Sequence, residues 1–139
     1  MKALSIQEPW VYAILKLGKN IENRSRPFWH TGPLLLHASK RFDHAGYEWL
    51  LAEGFRLPSI SSFHLGFLRG KADMIGWCTK SDSRWFFGPV GLRLKNAIEF
   101  PEPIPWKGQL GLFDVPESAL QRVNLTPEKR RKLPESLTL

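Results

Sequence analysis

Apolar and polar residues alternate across Lys2-Ala3-Leu4-Ser5-Ile6-Gln7, with Leu4 and Ile6 on one face, which predicts a first strand. Pro9 suits a first helical turn. Trp10, Ala13, Ile14 and Leu17 then recur at helical spacing before Gly18, so a short amphipathic helix is expected over about 9–17. The stretch Lys19 to Pro27, if extended, puts Glu22, Arg24 and Arg26 on one face. Gly32-Pro33 reads as a turn, and Leu34-Leu35-Leu36-His37-Ala38-Ser39 as a strand buried on both sides. Asp43 is placed to cap a helix whose Tyr47, Leu50 and Leu51 share a face and which stops at Gly54. Residues 55–66 read as a loop.

Two further alternating runs follow. Leu68, Gly70, Ala72 and Met74 alternate with Arg69, Lys71 and Asp73, a half-buried strand with a charged outer face; Val90, Leu92 and Leu94 repeat the pattern. The three prolines between Phe100 and Pro105 predict a non-helical connection, and Gln109 to Val115 a last strand or irregular edge. Thr126-Pro127-Glu128 opens a short helix carrying Lys129, Arg130, Arg131 and Lys132. Residues 1–116 thus read as one folded unit and 117–139 as its C-terminal helical appendage. Strands with a helix inserted after the first give an α+β class, a small barrel with helices around it.

Composition narrows the function. The chain has 139 residues, 42% hydrophobic and 24% charged, as in ordinary single domains. It holds no apolar run long enough to span a membrane. The single cysteine, Cys78, excludes an intramolecular disulfide, and polar residues come too early for a signal peptide, so a cytoplasmic protein is expected. Twenty Lys and Arg against thirteen Asp and Glu give +7, a surplus that attracts polyanions, and six Trp supply faces for base stacking. No Cys/His cluster has zinc-ligand spacing, and no phosphate loop, nucleophile elbow or paired-carboxylate motif is present. No cofactor is therefore expected. His30, His37 and His44 recur every seven residues, but Gly32-Pro33 breaks any helix there; His37 reads as a hydrogen-bonded core histidine.

Three segments resemble one family. Gln7-Glu8-Pro9-Trp10 through Gly18-Lys19-Asn20-Ile21-Glu22-Asn23-Arg24-Ser25 is similar to the ASCH signature, a helix ending in Gly followed by Lys-x-x-Glu-x-Arg. Gly32 to Lys40 resembles the strand that follows it, and Trp85-Phe86-Phe87-Gly88-Pro89 with Gly108 to Pro116 resembles the C-terminal half of bacterial and phage members. One departure is that Gly18 and Lys19 are adjacent here, where many members place a residue between them. The resemblance implies a PUA-like β-barrel with a cleft between the first helix and the sheet, where family members are thought to bind RNA or modified nucleic acid. Some relatives look like enzymes. Short bacterial members hydrolyse the amide of N4-acetylcytidine with a Lys, a Thr three residues on and a Glu; here Glu22 stands where that Thr would be. At least one relative cleaves single-stranded RNA with divalent metal.

Lys19, Glu22 and Arg24 form the central constellation. Lysine suits a phosphate oxygen, arginine forks onto a phosphate or stacks on a base, and a glutamate accepts from an exocyclic amine or holds the arginine. The bland alternative is a solvated charged face after a helix. Asn23 and Ser25 lie on the other side of the same segment; Asn23 is a nucleic-acid-binding candidate, placed to read a base edge or, in the alternative, to finish a turn. Ser39 and Lys40 end the buried strand where side chains emerge; with Arg41 they are nucleic-acid-binding candidates, and Lys40 and Arg41 are expected to contact phosphate. Trp10 fits the core by its helical spacing and a stacking platform by its neighbourhood, and Trp85 is a second stacking candidate. The expected function is a basic cleft for RNA or single-stranded nucleic acid. A metal-dependent ribonuclease, with Glu22 as a candidate metal-holding carboxylate, an amidohydrolase, whose lysine Lys19 matches, and a protein-interaction module stand as alternatives, with Lys19 and Glu22 as the catalytic candidates.

Overall fold

A computed structural model describes residues 1–121. The elements, in order, are β1 (Lys2–Glu8), α1 (Trp10–Lys16), β2 (Ile21–Arg24), β3 (Gly32–Phe42), α2 (His44–Ala52), a 3-10 turn (Ile60–Ser62), β4 (Phe67–Cys78), β5 (Val90–Pro105), β6 (Leu112–Asp114) and a second 3-10 turn (Glu117–Leu120). The six strands form one mixed sheet in the order β2-β5-β4-β3-β1-β6. β1 and β3 run parallel, which requires a crossover, and α1 lies within it; the other pairings are antiparallel.

The expected small barrel takes the form of this six-stranded mixed sheet, which is not closed among the described residues. Among the described residues the ladder ends at two short edges, β2 with four residues and β6 with three. The α+β class stands.

β3 is buried on both faces, as its apolar run predicts. Leu34, Leu36 and Ala38 pack with Val11 and Ile14 of α1, while Leu35 faces a second cluster with Leu68, Phe100 and Phe113. Asp43 caps α2 by accepting from Gly46 N–H at 2.9 Å, a bond worth about 1 kcal/mol.

Four local expectations change. Gly32-Pro33 begins β3, with Gly32 paired to Met74, and is not a separate turn. The proline-rich 100–105 segment is the end of β5, still paired to β4. Beyond Arg93 that strand has left β2 behind, and on a free edge the N–H that proline lacks is not needed. Arg69 is buried: the β4–β5 register slips between Leu68 and Gly70, and the guanidinium lies inside beside Glu8. Leu51 is exposed, so α2 presents Gly46 and Leu50 to the interior. At the C-terminal end Leu120 is buried in the cluster with Phe113 and Val115. The basic segment Lys129 to Lys132 lies outside the described residues. No helix among the described residues is long and apolar enough to cross a membrane.

Candidate functional site

The turn after α1 organises the site. Gly18 has φ +76°, a left-handed conformation that side-chain-bearing residues disfavour, and it folds the chain back so that the Lys19 N–H reaches the Ala13 carbonyl at 3.0 Å. The Lys19 side chain turns inward and is buried, 2% exposed. The ammonium donates to Glu22 Oε1 at 2.8 Å and to the Ile21 carbonyl, and lies 5.6 Å from the centre of the Trp10 ring.

β2 is extended, so Glu22 and Arg24 share a face. Glu22 sits between two cations: Lys19 on Oε1, and Arg24 Nε 3.2 Å from Oε2. Arg24 also donates through Nη2 to the Ser5 carbonyl at 2.7 Å, which ties β2 to β1 across the cleft. The solvated-face alternative does not describe these residues: Lys19 and Glu22 are buried, and Arg24 is partly so.

Asn23 points the other way and holds the loop before β5. Its Oδ1 accepts from the N–H groups of Phe87 and Gly88 at 2.8 and 3.0 Å, and its Nδ2 donates to the Trp85 carbonyl at 2.9 Å. Trp85 itself is buried, packed against Trp49 and Phe55 in the cluster containing Ala13, Ile21 and Leu50, and offers no stacking face. The exposed aromatic of that loop is Phe87.

Trp10 belongs to the core and also borders the cleft. It packs against the hydrophobic clusters, and its edge lies so close to Gly46 that a Cβ there would stand 2.5 Å from the indole. Its Nε1–H donates to Asp43 Oδ2 at 2.8 Å, the oxygen not used to cap α2. The indole nevertheless lines a cleft of about 540 Å³ together with Glu22, Asn23, Arg24, Ser39 and Arg41. A smaller hollow of about 200 Å³ continues past Trp10, Lys19, Glu22 and Asn23 to Phe87. Six of the residues singled out in the sequence, from three separate segments, thus share one concavity. Lys40 does not: it is exposed and lines a second cavity of about 960 Å³ that meets the cleft at Ser5 and Ser39.

One buried group beside the site escapes sequence reading. Glu8 is fully buried; burial pushes its carboxyl up to about 7 against the opposing pull of Tyr12 N–H and Arg69. His37 is the hydrogen-bonded core histidine expected, but its partner Ser5, 32 residues away, carried no signal beyond its place in an alternating strand. Among the described residues no group of three or more His, Cys, Asp or Glu is arranged to hold a metal ion.

No family model matches the chain, and no curated protein matches it. Among solved structures, an ASCH protein from Zymomonas mobilis superposes on 86% of this chain and 90% of its own, with a TM-score of 0.53 at 12% sequence identity. At that identity the likeness is one of fold: the chain has an ASCH-like fold.

Proposed function

We propose that the protein binds single-stranded nucleic acid, RNA in the first instance, in the cleft beside α1. The observation that carries this reading is the shared lining of Trp10, Glu22, Arg24 and Arg41: an aromatic wall, an acceptor and two guanidinium groups around one hollow. A base fits beside Trp10 with an exocyclic amine toward Glu22, and the backbone follows Arg24 and Arg41. Lys19 takes a different part from that of a phosphate contact. Buried and paired, it fixes Glu22 and so shapes the acceptor. The overall charge of +7 favours the encounter with a polyanion.

The test is retention of labelled single-stranded RNA by the pure protein, with and without manganese, compared with Arg24→Ala and Arg41→Ala. Intact RNA retained by the native protein and lost by the variants supports the reading. Metal-dependent fragments replace it with the nuclease, and no retention at any salt rejects it in favour of a protein partner.

A further inference from the structure

The cavity of about 960 Å³ holds chemistry that the proposed cleft does not use. Ser5 of β1 and His37 of β3 are register partners in the parallel pair, so their side chains stand next to each other on two rigid strands. Ser5 Oγ lies 2.8 Å from His37 Nδ1, and His37 Nε2 lies 2.7 Å from the Trp106 carbonyl. A carbonyl oxygen has no hydrogen to give, so Nε2 carries the proton. His37 is 1% exposed, and burial holds its imidazole below the ordinary histidine range, so the ring is neutral at pH 7. Nδ1 is then an acceptor, and the Ser5 hydroxyl donates to it.

This is a nucleophile, a base and an orienting group in hydrogen-bonded sequence, the arrangement that activates serine in acyl transfer. The segment following β5 is fitted to it. A Cβ on Gly108 would stand 2.4 Å from Ser5 Oγ and 2.8 Å from His37 Cε1, so only glycine lets the chain close over the pair. Ser5 remains partly exposed and opens on the cavity, whose walls include Leu65, Phe67, Trp106 and Leu110, with Lys40 and Lys107 supplying positive charge.

The geometry points to Ser5 as an acyl-accepting nucleophile, with His37 as its general base, acting on carboxylic esters with an apolar acyl group. Ser5 Oγ bonds to the ester carbonyl carbon while its proton passes to His37 Nδ1 and the carbonyl electron pair moves onto oxygen. Collapse of that oxyanion breaks the carbon–alkoxy bond, and His37 returns the proton to the departing alkoxide. Water, deprotonated by His37, then releases the acid and restores Ser5. The ammonium groups of Lys40 and Lys107 favour the oxyanion.

The test uses the full chain with p-nitrophenyl butyrate and, separately, with diisopropyl fluorophosphate. The expected results are nitrophenolate release and one phosphoryl adduct that peptide mapping places on Ser5. The value of kcat/KM should rise about tenfold per pH unit below the His37 titration and level off above it. Ser5→Ala should lose the adduct and at least about 100-fold of the turnover. No adduct on the native protein, an adduct elsewhere, or equal turnover in Ser5→Ala overturns the assignment; mapping on the native chain needs no variant to fold.

Discussion

Lys19 and Glu22 form a buried ion pair, Nζ to Oε1 2.8 Å, at the point where the chain turns back under α1. Truncating the lysine leaves a carboxylate inside the fold with only Arg24 near it. Removing one partner of a buried pair is strongly destabilising. Lys19→Ala is therefore expected to lower stability by about 3 kcal/mol, somewhat less if Arg24 swings onto Oε1. Lys19→Met with Glu22→Gln, which removes both charges together, should recover much of that loss. Urea unfolding of the three proteins decides it: a Lys19→Ala variant as stable as the native chain would show that the pair contributes nothing.

Arg24 and Arg41 come from β2 and the end of β3, and both line the cleft. If each neutralises one phosphate, each alanine variant should reduce the slope of log K against log salt by about 0.7, the single-strand value per contact. Lys19→Ala should leave that slope alone, because its ammonium is turned inward. Fluorescence anisotropy with labelled single-stranded RNA over a salt series separates the cases, and slopes unchanged in both arginine variants reject the phosphate assignment.

Trp10 rests on Gly46, and a Cβ at that position would stand 2.5 Å from Cζ2 of the indole. The ring cannot yield freely, since its N–H is held by Asp43. Gly46→Ala should cost about 1–3 kcal/mol through overpacking. It should also displace the cleft wall and weaken RNA binding, although Gly46 itself lies outside the cleft lining. Tryptophan fluorescence and anisotropy report the two effects; binding at native strength with the melting temperature lowered would detach Trp10 from recognition.

The alternation in β1, β4 and the start of β5, the double-sided run of β3 and the cap at Asp43 were all legible because each depends on neighbours within a few residues. The shared face of Glu22 and Arg24 in β2 was legible for the same reason, since an extended Lys-x-x-Glu-x-Arg stretch must put the two together. Lys19 was not, because its direction depends on Gly18 taking φ +76° and closing the chain onto Ala13. The prolines of 100–105 concealed a strand because their tolerance depends on which neighbour β2 leaves unpaired. Arg69 and Trp85 turned inward through long-range partners, Glu8 and the Trp49–Phe55 cluster, that no local pattern encodes. The Ser5–His37 pair depends on parallel strands brought into register across 32 residues.

Glu8 makes the fold itself sensitive to pH. Burial raises its carboxyl from an ordinary 4.5 to about 7, while Oε1 accepts the Tyr12 N–H at 2.7 Å and Oε2 lies 3.8 Å from Arg69 Nε without a hydrogen bond. Between these two values the folded protein keeps a proton that the unfolded chain has released. The stabilisation linked to that proton is therefore fully present below about pH 4.5, declines as pH rises, and is gone above about pH 7. A shift of that size corresponds to about 3 kcal/mol across the window. Glu8→Gln preserves the oxygen that accepts from Tyr12 but cannot ionise. Relative to it, the native protein should lose stability steadily from pH 4.5 to 7, and the two should run parallel above. Urea unfolding at half-unit steps measures the difference; parallel curves across the whole range would mean that Glu8 is charged throughout, held by Arg69 despite its burial.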